Sequence, residues 1–371
     1  MKLTEVRIHR LHMPLRFRFE TSFGVETHRR LDIVEVRAGE RVGYGECVAM
    51  EAPVYNEETL DGARAVLVQH LLPRLAGAEL REPEDVARLL APVHGNRMAK
   101  SALECAVWDL MAQERGLPLA RLLGGTKESV EVGVSLGIEP DVDTLLSQVE
   151  RHVGQGYRRI KLKVKPGWDE VPLGEVRAAF PDIALTVDAN TAYRADDLGR
   201  LATWDRFRLD YIEQPFPEDE LLLHAELARR METAVCLDES VHGAADARLV
   251  AHLGAARVIN VKVGRVGGLA ETLRLCEVAR EHGIALWCGG MLETGVGRAV
   301  NVAVASRPEF TMPGDTAGSE RYWDLDLIEP PVVVTDGRIP VPAASGLGYK
   351  VVPERLRRYA VEPPWVGHLA D

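Results

Sequence analysis

The chain has 371 residues, of which 46% are apolar and 27% charged, with a formal net charge of −11. That length accommodates one barrel of about 250 residues plus a smaller domain, and the composition is that of a globular protein, neither disordered nor membrane-embedded. No basic patch stands out against the acidic background, which excludes a nucleic-acid surface, and no apolar run approaches the ~20 residues that span a bilayer. In chain order, residues 3–15 and 31–36 read as strands, with 17–27 an aromatic-bearing loop between them. Residues 57–70, 84–90 and 100–115 read as helices, the last with Ala102, Ala106 and Leu110 at helical spacing. Strands followed by helices without alternation predict a small α+β domain over 1–125, and Gly124-Gly125 marks a change of regime.

From residue 130 the pattern alternates. Apolar runs at 130–136, 160–164, 185–188, 211–213, 235–238, 258–263 and 286–288 recur at intervals of about 25 residues, the length of a strand, a helix and two short loops. Helices are predicted at 141–156, 169–180, 195–204, 218–231, 243–253, 268–282 and 297–306, and 310–312 is the candidate eighth strand. The reading is an α/β protein of (β/α)8 type over 126–320, with a tail over 321–371 that rejoins the N-terminal domain.

The five cysteines are odd in number and lack CxxC spacing, so buried thiols in a reducing compartment are expected. Residues 1–15 mix basic and apolar side chains and read as a strand, not a signal peptide. A cytoplasmic location is the expectation.

With a period of two, Lys161 and Lys163 share one face of their strand, opposite Ile160, Leu162 and Val164. Mutual repulsion is expected to lower the pKa of at least one, a route to a lysine base. Asp188, Glu213 and Asp238 end the next three strands, and Lys262 ends the sixth. In a closed barrel of eight, the second and sixth strands face each other across the axis, with the three carboxylates on the arc between them. One Asp at a strand end is usually a helix N-cap. Three on successive units, flanked by lysines, point instead to one hard divalent ion, Mg²⁺ or Mn²⁺. A substrate carboxylate at such an ion can lose its α-proton to an amine on either face.

These residues resemble a family. Lys161-Leu-Lys163, Val187-Asp188-Ala-Asn190, Glu213-Gln-Pro215, Leu237-Asp238-Glu239-Ser240 and Lys262 are similar to the enolase superfamily, in its muconate-lactonizing subgroup. The stretches beginning Phe17-Arg-Phe19, Gly95-Asn96-Arg97, Trp287-Cys-Gly-Gly and Pro313-Gly-Asp315-Thr resemble the o-succinylbenzoate synthase and N-acylamino acid racemase branch. The resemblance implies a modified (β/α)7β barrel with a capping domain built from the N-terminal segment and the C-terminal tail. It implies Asp188, Glu213 and Asp238 as ligands of Mg²⁺ and Lys163 and Lys262 as the acid/base pair. Lys161 would hold the substrate carboxylate and tune Lys163. Phe23, in the loop from Phe19 to Gly24, and Met50 would cover the pocket, while Ser135, Asn190, Gly290 and Met291 would line it. The implied partner is a small-molecule carboxylate, with the chain assembled as a dimer or octamer.

Four other readings compete. Gly133-Val134-Ser135-Leu136-Gly137 fits the G-x-S-x-G elbow of a serine hydrolase, but Ile138-Glu139-Pro140 intervenes before the predicted helix. A dipeptide epimerase would carry an Asp-x-Asp at the last strand, and Asp324-Leu325-Asp326 has the spacing but lies beyond it. Muconate cycloisomerase shares the two-lysine plan. A non-catalytic barrel would have lost a ligand, and none is lost here.

Overall fold

The computed structural model describes residues 1–369. A curled parallel sheet of seven strands forms most of a barrel: Val134–Leu136, Ile160–Lys163, Leu185–Asp188, Tyr211–Glu213, Ala234–Leu237, Val258–Val261 and Ala285–Cys288, hydrogen-bonded in sequence order. Nearly every residue of these strands is buried on both faces, which is why they read as short apolar runs. Helices follow them on the outside, including Val142–Gly154, whose N-cap Asp141 accepts from Thr144 N as the sequence predicts.

The predicted eighth strand at 310–312 is not a regular strand. Phe310 bridges Leu286, Gly314 bridges Val132, and Thr311 N donates to Leu286 O while Gly133 N donates to Gly314 O. The cylinder is thus closed by an irregular segment bonded on both sides, because Pro313 has no N–H to extend a ladder. The predicted strand 130–136 divides in two: Ser129–Glu131 pairs with Arg338–Pro340, and only Val134–Leu136 enters the barrel. The predicted helix 195–204 is a series of short turns, with regular α-helix only at Leu198–Leu201.

The capping domain is a four-stranded antiparallel sheet, Trp365–His368 beside Glu5–Thr21, Gly24–Ala38 and Arg41–Cys47, with the helix Arg97–Glu114 against it. The last of these strands, Arg41–Cys47, was not predicted. Its Gly43 and Gly45 lie directly against the backbone of Ala106 and Ala102, where a Cβ would collide. The predicted loop 17–27 is the tip of a long hairpin, with Thr21 paired to Gly24 across the turn Ser22-Phe23. Its outward residues Arg16 and Arg18 are exposed, which disguises the strand pattern. The tail divides: Trp365–His368 joins the cap as expected, whereas Arg338–Pro340 pairs at the entry to the first barrel strand.

Inside the barrel, beneath the strand ends, Tyr211, Cys236, Val258 and Trp287 form a separate apolar layer. The Tyr211 and Trp287 rings stack at 5.9 Å between centroids, and Lys161 Nζ lies 4.6 Å from the Trp287 ring. This layer is the floor on which the charged residues stand.

Candidate active site

Lys163, Asp188 and Glu213 are direct neighbours in register at the C-terminal ends of three adjacent strands. Asp238 and Lys262 each follow the last residue of theirs. In a barrel this end is where loops and strand ends build a site. Lys163 Nζ lies 2.7 Å from Asp188 Oδ2, and Lys262 Nζ lies 2.7 Å from Asp238 Oδ2. The two lysine strands are four places apart in the sheet, so the ammonium groups flank the carboxylates from opposite sides.

Lys161 Nζ sits among Glu213 (2.8 Å), Asp188 (3.2 Å) and Asp315 (2.6 Å). Burial opposes its charge, but the three carboxylates outweigh burial and hold its pKa well above the ordinary value. The expectation that lysine–lysine repulsion lowers a pKa therefore fails for Lys161. The sequence could not show that its nearest charges are acids. The Lys262 pKa is also raised, against burial, by Tyr55, Glu239 and Glu213.

The acids divide. Burial raises the Asp188 carboxyl, yet Lys163 and Lys161 bring it below the usual range. Glu213 is raised by burial and by Asp188, in spite of Lys161. Glu239 is pushed up to about 7 by burial and Asp188. Arg265 pairs with Asp238, whose Oδ1 also accepts from the Tyr55 hydroxyl at 2.9 Å.

The donor set suits a hard cation: Asp188, Glu213 and Asp238 are each at most 1% exposed and offer only oxygen. Glu239 Oε2 is buried beside them without a hydrogen-bond partner. As placed, the carboxylates pair with Lys161, Lys163, Lys262 and Arg265, and among the described residues no three acidic, histidine or cysteine groups are arranged to hold a metal ion.

One cavity opens onto this cluster, lined by Lys161, Lys163, Asp188 and Lys262, and by every residue expected to cover or line it: Phe23, Met50, Ser135, Asn190, Gly290 and Met291. Asn190 accepts from Lys163 at 2.7 Å, and Ser22 Oγ at the hairpin tip donates to Asn190 O at 3.0 Å. Glu213 and Asp238 lie behind the lysines and do not reach the cavity wall. Sequence reasoning missed Tyr55, Arg265, Glu239 and Asp315 as part of the cluster. Asp315 and Glu239 lay within the quoted motifs; Tyr55 and Arg265 carried no periodic signal.

The competing motifs find no support. Ser135 lines the cavity, but among the described residues no histidine does. Asp324 is exposed and 3.3 Å from Arg16, while Asp326 is buried and accepts from Gly295 N and Ser319 Oγ, so neither faces the cavity.

Residues 3–124 match the mandelate racemase / muconate lactonizing enzyme N-terminal domain, and residues 144–355 match the enolase C-terminal domain-like family. The chain is 50% identical to an N-succinylamino acid racemase of Thermus thermophilus, over 94% of each chain. It is 48% identical to an o-succinylbenzoate synthase of Geobacillus kaustophilus, over 95% of each. A crystal structure of an enolase superfamily member from Listeria innocua superposes with a TM-score of 0.96 at 39% identity, over 100% of both chains. With two facing lysines, three buried strand-end acids and a capping hairpin over them, this chain is an enzyme that belongs to the enolase superfamily.

Proposed function

We propose that the chain forms o-succinylbenzoate by syn dehydration of a succinyl-hydroxycyclohexadiene carboxylate, the menaquinone-pathway reaction, and racemises N-succinylamino acids at the same site. The observation that carries this reading is the placement of Lys163 and Lys262 on opposite flanks of one acid cluster. Asp188, Glu213 and Asp238 would hold one Mg²⁺, or Mn²⁺ in its place. When bound, the ion would stabilise the second negative charge that a substrate carboxylate gains as its α-proton leaves.

The chain's own groups do the rest. Lys163 and Lys262 take a proton from one face of the α-carbon and return one to the other, which is racemisation. In the dehydration Lys163 removes the proton and assists the departing hydroxide on the same face, while Lys262 remains charged and stabilises the developing anion. Lys161 keeps positive charge next to the substrate carboxylate. The hairpin tip, with Phe19 and Phe23, and Met50 exclude water from above.

The partners in this reading are a small carboxylate and further copies of the chain, as a dimer or octamer. The five cysteines are buried and unpaired, which suits a reducing cytoplasm, and no helix among the described residues is long and apolar enough to cross a membrane. The test supplies the purified protein and Mg²⁺ with the cyclohexadiene substrate and with N-succinyl and N-acetyl amino acids of both hands. Turnover of the first, and interconversion of the N-succinyl enantiomers, are expected. Turnover of neither overturns the reading.

A further inference from the structure

The cavity wall contributed by the capping domain holds a cation whose bonding is incomplete. Arg29, on the strand Gly24–Ala38, lines the cavity and is 4% exposed. Its Nη2 donates to Val48 O at 3.0 Å, but its Nε is buried with no partner. The nearest carboxylate oxygen, Glu26 Oε2, is 3.9 Å from Nη1, beyond hydrogen-bond range. A buried guanidinium with unused donors calls for an acceptor, because a desolvated charge left short of partners is costly.

The other cations of the cavity are already engaged. Lys161, Lys163 and Lys262 pair with the acid cluster. Arg298 donates to the carbonyls of Ala317, Gly318 and Glu293 and lies 4.4 Å over the Tyr322 ring. The Glu26 carboxyl, the nearest acid to Arg29, is raised by burial and only partly lowered by Arg29. Of the cations that line the cavity, Arg29 is thus the one with a buried donor left unpaired among the described residues.

Resting on the proposed chemistry at the lysines, we propose that Arg29 receives the distal carboxylate of a dicarboxylate substrate, the free end of a succinyl group, and so sets the preference for succinyl over uncharged acyl groups. A planar guanidinium meets a carboxylate with two parallel N–H bonds, which Nε and one terminal nitrogen supply. An N-acetyl substrate ends before it can use them. The preference is then expressed in binding, while proton transfer at the α-carbon belongs to the lysines.

The experiment compares wild type, Arg29→Met and Arg29→Lys with Mg²⁺ present, on N-succinyl- and N-acetyl-phenylalanine. The quantity read is the ratio of kcat/KM for the succinyl substrate to that for the acetyl one. The ratio is expected to fall about 10- to 100-fold in Arg29→Met, the loss of one charged hydrogen-bonded pair, mainly through KM, with partial recovery in Arg29→Lys. An unchanged ratio, including equal loss on both substrates, overturns the proposal. Should the wild type racemise neither compound, the reading of the lysines fails, but Arg29 is still tested by calorimetric binding of o-succinylbenzoate and benzoate. Arg29→Met must weaken the first about tenfold or more relative to the second, and equal weakening overturns the assignment.

Discussion

Glu46 ties the two domains together, and its replacement by glutamine tests the electrostatics of the whole interface. The residue ends the capping strand that Gly43 and Gly45 allow onto the helix Arg97–Glu114, and its side chain is buried. Its oxygens accept from Thr294 N, Thr294 Oγ1 at 2.6 Å and Gly297 N at 3.0 Å, at the start of the barrel helix Gly295–Ala305. Burial, with repulsion from Glu293, outweighs these bonds and pushes the carboxyl from 4.5 up to about 7. At about 1.4 kcal/mol per pKa unit, that displacement corresponds to roughly 3 kcal/mol. The sign follows from linkage: the folded protein keeps this proton where the unfolded chain has released it. The stability linked to the proton is present below pH 4.5 and is lost as pH rises from 4.5 to about 7. Glutamine has the shape of the protonated acid and does not titrate. Glu46→Gln should therefore match wild type near pH 5 and exceed it by about 2–3 kcal/mol at pH 8. Glu104, also raised to about 7, titrates in both proteins and cancels in the difference. Denaturant unfolding of both proteins at half-unit steps from pH 5 to 8 measures the effect, and parallel stability curves would refute the reasoning.

The remaining expectations concern the site. Lys163→Ala and Lys262→Ala should each abolish racemisation while still exchanging the α-proton of one enantiomer with solvent deuterium; equal exchange of both enantiomers in either variant contradicts the two-face assignment. Asp315→Asn removes a carboxylate 2.6 Å from both Lys161 and Arg159 and should cost about 3–5 kcal/mol by denaturant unfolding, since it leaves buried Arg159 without its carboxylate and Lys161 with two of its three. Dialysis against a chelator should abolish turnover, with Mg²⁺ restoring it and raising the thermal midpoint; activity that survives chelation rules out the ion's role. Ser135→Ala should retain activity, where a serine hydrolase would lose all of it.

How much of this was legible in the sequence varied with range. Lys163, Asp188, Glu213, Asp238 and Lys262 were readable because each sits at a strand end, and Lys161 because it shares a face with Lys163; the strands recur at a steady interval with apolar faces on a period of two. The eighth stave was not, because Phe310 and Gly314 satisfy their backbone by isolated bridges on either side of Pro313, which leaves no alternating pattern. The covering hairpin reads as a loop because its outward residues Arg16 and Arg18 are exposed and its tip residues Gly24 and Val25 stand in solvent. Tyr55 and Arg265 reach Asp238 from 183 and 27 residues away, and nothing local to either marks that contact. The Lys161 pKa was misjudged for the same reason: the sequence shows its neighbour Lys163 but not Asp315, which arrives from the closing segment.

The division of labour between the domains follows from where these contacts fall. The barrel supplies the lysines and the acids of the cluster, and these stand on or directly after strands buried on both faces. The cap supplies Phe19, Phe23, Arg29, Met50 and Tyr55 to the same cavity. It is fixed on one flank through Glu46 and Glu104, whose carboxylates meet the starts of the two helices Gly295–Ala305 and Leu269–His282. On the other flank its hairpin touches the Lys163 side, through Ser22 to Asn190 and Glu20 to Lys165. On the proposed chemistry, a change in the cap would alter which acyl group fits without moving either lysine, and one acid cluster with one pair of lysines would serve both a dehydration and a racemisation.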